Sequence, residues 1–214
     1  MNKYKGIIFD MDNTLLRSDI DFESMKRATH DYLLKKDVLP SPLDLHKHTT
    51  ATVIQAGQAS QKLTEDMSAE MWSIATKYEI QGMHNAPLEP GVMELLNELH
   101  GHYCMVVVTN NAIDAAKQAL TDNGIIHLFD LLIGREMMNE LKPSPSGVIY
   151  ALKQFNHLNT EDWVSVGDAW VDGRAALDAG VDFIAYRSDR EKLCANGVAP
   201  MAEIQEIHEL LRYV

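Results

Sequence analysis

Two cysteines in 214 residues, Cys104 and Cys194, are too few for a disulfide framework. Cys104 stands inside an apolar run and reads as a small core residue, and the scarcity suits a reducing, cytoplasmic setting. Long apolar runs are missing too. The opening MNKYKGIIFD meets charge too soon for a signal peptide, and no stretch approaches the length of a membrane span. Basic residues are few: 19 Lys and Arg stand against 31 Asp and Glu, a formal charge of −12. That balance argues against non-specific binding to nucleic acid or to an anionic membrane, since both need clustered cations. A small anionic substrate remains compatible if its site is locally positive. Charge blocks, repeats and low-complexity segments are also lacking. What is present, 46% apolar and 23% charged residues, is the composition of a folded protein. The length suits one core with a smaller inserted lobe.

Five short apolar runs lack the alternation of a half-exposed strand: GIIF (6–9), CMVVV (104–108), DLLIG (130–134), WVSVG (163–167) and DFIAY (182–186). Such runs suit parallel strands covered on both faces. Helical patterns lie between them. Val92, Leu95, Leu96 and Leu99 share a face. Asn111 reads as the N-cap of a helix ending near Gly124. Ser144-Pro145 reads as a helix start, with Val148, Ile149, Leu152 and Phe155 on one stripe. Ala175, Ala176 and Ala179 form a further stripe closed by Gly180, and MAEIQEIHELL (201–211) reads as a docking helix. The alternation predicts an α/β fold with a doubly wound parallel sheet.

Residues 18–86 break this rhythm. Phe22, Met25, Thr29, Tyr32 and Leu33 fall at helical spacing. Ser41-Pro42 reads as the start of a second helix, and Thr64 as the cap of a third that carries Met67, Met71, Ile74, Ala75 and Tyr78, with Gly82 just past its end. The expected division is a core of residues 1–17 and 87–214 with an inserted helical domain, 18–86. Lys26-Arg27 and Lys35-Lys36 read as solvated helix faces.

Chemistry concentrates after the strands. Asp10 and Asp12 follow the first run with only Met11 between them. Carboxylates so close repel, and one should have a raised pKa. Either the pair is a solvated turn, or a cation sits beside it, or the two divide acid and base work. Thr109 and Asn110 follow the second run, Asp168 and Asp172 the fourth, and Lys142 precedes a helix start. Ligands of open α/β sheets bind beyond the carboxyl ends of the strands, so these segments can converge. An oxygen-rich set with one Lys suits Mg²⁺ with a phosphate and waters. Alone, each element has a plainer reading: a solvated turn, a helix N-terminus, a solvated Lys before Pro.

Together, DMDNTL, TN, KP and GDAWVD, in this order between residues 10 and 172, resemble the haloacid dehalogenase superfamily. The helical insert resembles the cap of its phosphoglycolate phosphatase-like branch. The resemblance implies an Mg²⁺-dependent phosphatase that acts on a small phosphorylated metabolite through an aspartyl phosphate. Asp10 would be the nucleophile and a metal ligand, and Asp12 the general acid/base whose backbone carbonyl also binds Mg²⁺. Thr109 and the Asn110 N–H would hold phosphoryl oxygens, and Lys142 would neutralise charge. Asp168 would ligate Mg²⁺, and Asp172 would support the metal shell or orient Lys142. Dehalogenase members lack a carboxylate at the Asp12 position, and pumping ATPases carry Lys-Thr there, so Asp12 favours phosphomonoester chemistry. Asn13 stands where Gly is frequent, and Trp170 is larger than expected between Asp168 and Asp172.

A phosphomutase with the same motifs is the alternative enzyme. A non-catalytic phosphate-binding regulator is the alternative of another class. The paired histidines, His46 with His48 and His100 with His102, lack the neighbours of a metal site. Arg17 is a candidate substrate contact. The chain is expected to act as a monomer or homodimer.

Overall fold

The computed structural model describes residues 3–214 and divides into two compact units, one running through Ser18 and resuming at Asn85–Val214, the other Asp19–His84. The chain opens with β1 (Gly6–Phe9) and then enters the helical unit of α1 (Phe22–Lys35), α2 (Thr50–Gln58) and α3 (Glu65–Met83). Sheet and helix alternate after it: α4 (Val92–Leu99), β2 (Cys104–Val108), α5 (Ile113–Asp122), β3 (Leu131–Ile133), α6 (Ser146–Gln154), β4 (Trp163–Gly167), α7 (Trp170–Asp178), β5 (Asp182–Tyr186), α8 (Arg190–Ala195) and β6 (Ala202–Ile204). Among the described residues, no helix is long and apolar enough to cross a membrane.

The six strands form one parallel sheet in the order β3-β2-β1-β4-β5-β6. The chain builds outward from β1 to β3, returns, and builds outward again from β4. The order therefore reverses beside β1, where a crevice opens at the carboxyl ends of the strands. Both faces are covered. Ile8, Val106, Val108 and Ile133 join Val148 and Ala151 of α6 and Ala175 and Ala176 of α7 in one aliphatic layer. Ile7, Phe9, Met105 and Val107 alternate with them along β1 and β2 and are equally buried. That is why these strands read as unbroken apolar runs. The α4 stripe of Val92, Leu95, Leu96 and Leu99 is fully buried.

Several sequence expectations need correction. Asn111 does not cap α5: Ala112 holds that position without a side-chain cap, and the Ile113 N–H donates instead to Glu136 Oε2 at 2.8 Å. Ile149 faces solvent, and Ala151 takes its place in the α6 stripe. The C-terminal segment is not one helix. Residues 202–204 pair with β5 as an edge strand, and a 3₁₀ segment, Ile207–Arg212, follows. Both pieces bury Ile204, Ile207 and Leu210, so apolar spacing alone does not separate them from a helix.

In the helical unit, Ser41-Pro42 starts no helix. A short 3₁₀ turn, Leu45–Lys47, comes first, and α2 begins after Thr49, whose hydroxyl accepts from the Thr52 N–H. Thr64 caps α3 as expected, accepting from the Met67 N–H at 3.3 Å. Gly82 lies inside α3 rather than beyond it. A Cβ there would fall 2.4 Å from the Ile20 backbone, so glycine is required by close approach. Lys26 is not solvated: it is buried and pairs with Glu23 at 2.7 Å.

Candidate active site

β1 runs straight into Asp10 and Asp12, and Asn13 then turns the chain with φ of 56°. Asparagine tolerates that left-handed conformation, so the turn forms without a glycine. The loop folds back at once, with the Leu15 and Leu16 N–H groups both donating to Met11 O at 2.9 Å. β1 lies between β2 and β4, so the segments after all three strands meet there.

Lys142 is the centre of the arrangement. It is buried, and its ammonium donates to Asp10 Oδ1 at 2.6 Å and to Val108 O at 2.8 Å, and lies 2.7 Å from Asp172 Oδ1. Burial disfavours that ammonium, but the charges of Asp10 and Asp172 outweigh burial and raise its pKa. Thr14 donates to the other Asp10 oxygen at 3.2 Å. Burial pushes the Asp10 carboxyl up to about 7; Asp172 adds repulsion and Lys142 opposes both. Burial also raises Asp12, against the opposing effects of Ser18 and Asn111. Asp168 rises well above the usual carboxylate range, through burial first and then repulsion from Asp10 and Asp172. Four carboxylates around one ammonium leave the site short of positive charge.

Three of them are spaced to meet that need. Oxygens of Asp10, Asp168 and Asp172 lie within 4.8 Å of one another. Hard oxygen donors so spaced fit Mg²⁺. Asp172 is the least available of the three. Its Oδ2 accepts from the Ala169 N–H at 3.0 Å and its Oδ1 faces Lys142. Asp10 and Asp168 are therefore the side chains best placed to hold a cation, with Asp172 fixing α7 and the lysine. Asp12 Oδ1 is buried and makes no hydrogen bond of normal geometry, and such an acceptor suits a cation beside it.

Thr109 is buried beside this group, and its Oγ1 accepts from the Asn111 N–H at 3.2 Å, which leaves the hydroxyl proton to donate. The Asn110 side chain turns to Lys142 rather than outward. Asn111 donates to Asp12 Oδ2 at 2.5 Å. Sequence reading missed Thr14 and this use of Asn111. An asparagine three residues after a strand looks like a cap, and only the parallel pairing of β1 with β2 shows that Asp12 is opposite.

Trp170 opens α7 and packs, partly buried, against the aliphatic layer. Arg17 lies 3.5 Å from Glu89, a buried carboxylate that also receives Arg187 at 3.0 Å and the Tyr186 hydroxyl at 3.3 Å. His48 and His100 have ordinary partners, Thr52 and Leu128 O. A hollow of about 510 Å³ lies away from the carboxylates, among Tyr4, Leu99, His102 and Tyr103 at the opposite, amino-terminal end of β1 and β2.

Gly167 gives a direct handle on the site. A Cβ there would sit 2.6 Å from the Asp172 side chain, which must shift. Gly167→Ala is expected to lower turnover by roughly 10- to 100-fold, because displacing Asp172 also releases Lys142. An unchanged rate in a folded variant would show that Asp172 need not stay where it is.

Residues 7–186 match the sequence pattern of the haloacid dehalogenase-like hydrolases. The chain belongs to this family. Among curated relatives of this haloacid dehalogenase-like hydrolase, a phosphoglycolate phosphatase of Cereibacter sphaeroides is 28% identical over 85% of this chain and 84% of its own length. A pyrimidine 5′-nucleotidase of Escherichia coli is 25% identical over 97% of this chain and 96% of its own length. A solved structure described as a predicted phosphoglycolate phosphatase from Haemophilus somnus superposes with a TM-score of 0.69 at 25% identity, covering 99% of this chain and 98% of that one. This chain is thus a family hydrolase that acts on phosphomonoesters, with the parallel sheet of that family.

Proposed function

We propose that this hydrolase is an Mg²⁺-dependent phosphatase of small phosphorylated metabolites that works through an aspartyl phosphate. The observation that carries the reading is the ion pair of Lys142 with both Asp10 and Asp172, set beside Asp12 and Asp168. Asp10 attacks phosphorus, and the phosphoryl group passes to its carboxylate. Asp12 gives its proton to the departing oxygen, and its carboxylate then takes one from the water that cleaves the intermediate. Thr109 donates to a phosphoryl oxygen, joined by the Asn110 N–H. Lys142 offsets negative charge on nucleophile and phosphate as the bond forms. Asp10, Asp168 and the Asp12 carbonyl would hold Mg²⁺, with Asp172 in support, and the ion would supply further charge neutralisation.

The helical unit, Asp19–His84, is assigned the role of a cap that selects the leaving group. The relatives' names place phosphoglycolate and pyrimidine nucleotides among the substrates to try. Composition favours a cytoplasmic protein without nucleic-acid or membrane partners, and we take it as a monomer or homodimer. The mechanism is tested by acid quench during turnover and mass analysis. A phosphoryl group on Asp10 is expected. Label found only on a histidine, or nowhere during steady turnover, would remove the aspartyl phosphate from the account.

Charge crowding also predicts how stability responds to pH. In the metal-free protein, Asp10 titrates at about 7 against 3.8 for an ordinary Asp, so the folded state holds the extra proton between those values. Stability therefore falls as pH rises through that window, by a few kcal/mol at most, since a tenfold change in proton affinity is worth about 1.4 kcal/mol. Asp168 acts in the same direction. Thermal unfolding without metal should show a lower Tm at pH 8 than at pH 5.5, a slope made shallower by Asp168→Asn. Added Mg²⁺ should raise Tm more at the higher pH. A slope of the opposite sign that Asp168→Asn leaves unchanged would refute the crowding.

A further inference from the structure

We infer that the side chain of Asn110 is a positioning residue for Lys142, distinct from the phosphate contact assigned to its backbone N–H. Lys142 lies between β3 and α6 in a turn that belongs to neither a strand nor a helix. The Asn110 amide does so instead. Its Nδ2 donates to Lys142 O at 3.0 Å, and its Oδ1 accepts from the Lys142 N–H at 2.8 Å. One side chain thus satisfies both main-chain polar groups of the lysine, as a neighbouring strand would. The other end of Lys142 is held from the same place, because its ammonium donates to Val108 O. The last residue of β2 and the second residue beyond it grip the lysine at both ends. A long, flexible side chain is thereby fixed between Asp10 and Asp172 before substrate arrives. No other amino acid does this equally well: Asp lacks the donor, Gln is one methylene too long, and Ser offers a single atom.

The inference rests on the phosphatase reading for its kinetic consequence but not for its geometry, so two measurements separate them. The first is hydrogen exchange at the Lys142 amide in the whole protein. Protection is expected in wild type, with exchange at least roughly ten-fold faster in Asn110→Ala. Equal exchange in the two proteins would overturn the inference whatever the enzyme does.

The second is a double-mutant cycle on kcat with the best substrate found. Asn110→Ala should lower kcat on the order of 100-fold, the usual cost of misplacing a reacting group by about 1 Å. In a Lys142→Met background the same change should cost less than roughly three-fold, because the group it positions has gone. Losses that multiply would show that Asn110 acts independently of the lysine, which a general structural role would produce. Asn110→Asp, nearly isosteric, keeps the acceptor and loses the donor, and should fall between Asn110→Ala and wild type. Lys142→Arg gives a second background that keeps the charge. Absence of turnover in wild type would count against the phosphatase reading alone, and exchange at Lys142 would still decide the positioning.

Discussion

Replacing Asp10 with Asn should abolish turnover and leave the fold intact. The loss is expected to be at least roughly 10⁴-fold, as for removal of a nucleophile whose partners act as a unit with it. The substitution is close to isosteric. It also removes one of the crowded carboxylates, whose pKa of about 7 already marks it as poorly tolerated in its charged form. Lys142 keeps Asp172 at 2.7 Å, so no buried ammonium is stranded. The melting temperature should accordingly stay near that of wild type, a change of about 1 kcal/mol or less. Phosphate release at an undiminished rate would end the assignment of Asp10 as nucleophile. A variant that fails to fold would instead show that the Asp10–Lys142 pair is structural.

Lys142→Met is the second large effect, and it should strike both activity and stability. Methionine fills the buried channel but leaves Asp10 and Asp172 facing each other with no cation. Breaking one side of a buried pair typically costs about 3–5 kcal/mol. Turnover should fall on the order of 10³-fold, since the cation no longer offsets charge developing on the phosphoryl oxygens. The two losses should respond differently to pH. Without the ammonium the carboxylates hold protons more tightly, so stability should recover as pH falls toward about 5, while the rate should not. Full activity in the variant, or stability indifferent to acid, would contradict the role given to Lys142.

How much of this could be read from the chain alone follows from what each residue type reports. Asp10, Asp12, Thr109 and Asp168 follow strands closely, Lys142 precedes a helix, Asp172 stands in the first turn of one, and unbroken apolar runs mark those strands plainly. Their convergence needs only the rule that such sheets bind beyond their carboxyl ends. β6 escaped notice because it is three residues long and pairs at an edge, and its apolar spacing also fits a helix. Ser41-Pro42 misled because the chain there is held through His30, whose Nε2 accepts from the Leu43 N–H at 3.0 Å, a long-range contact with no local signature. The side-chain partners of Asn110 and Asn111 were hidden for a similar reason. They lie 32 and 99 residues away along the chain, so the bonds exist only once β1, β2 and the loop after β3 are adjacent. Lys26 was hidden because burial of a charged residue cannot be inferred from its helical neighbours.

The most direct measurement is release of inorganic phosphate from a panel of phosphorylated metabolites and a generic aryl phosphate, with and without Mg²⁺, using Asp10→Asn as the blank. Mg²⁺-dependent release by wild type and none by the variant is the expected result. The best substrate would show which leaving groups the enzyme accepts. No release from any compound by folded protein that binds Mg²⁺, or transfer of the phosphoryl group to a sugar phosphate in place of water, would contradict a phosphatase.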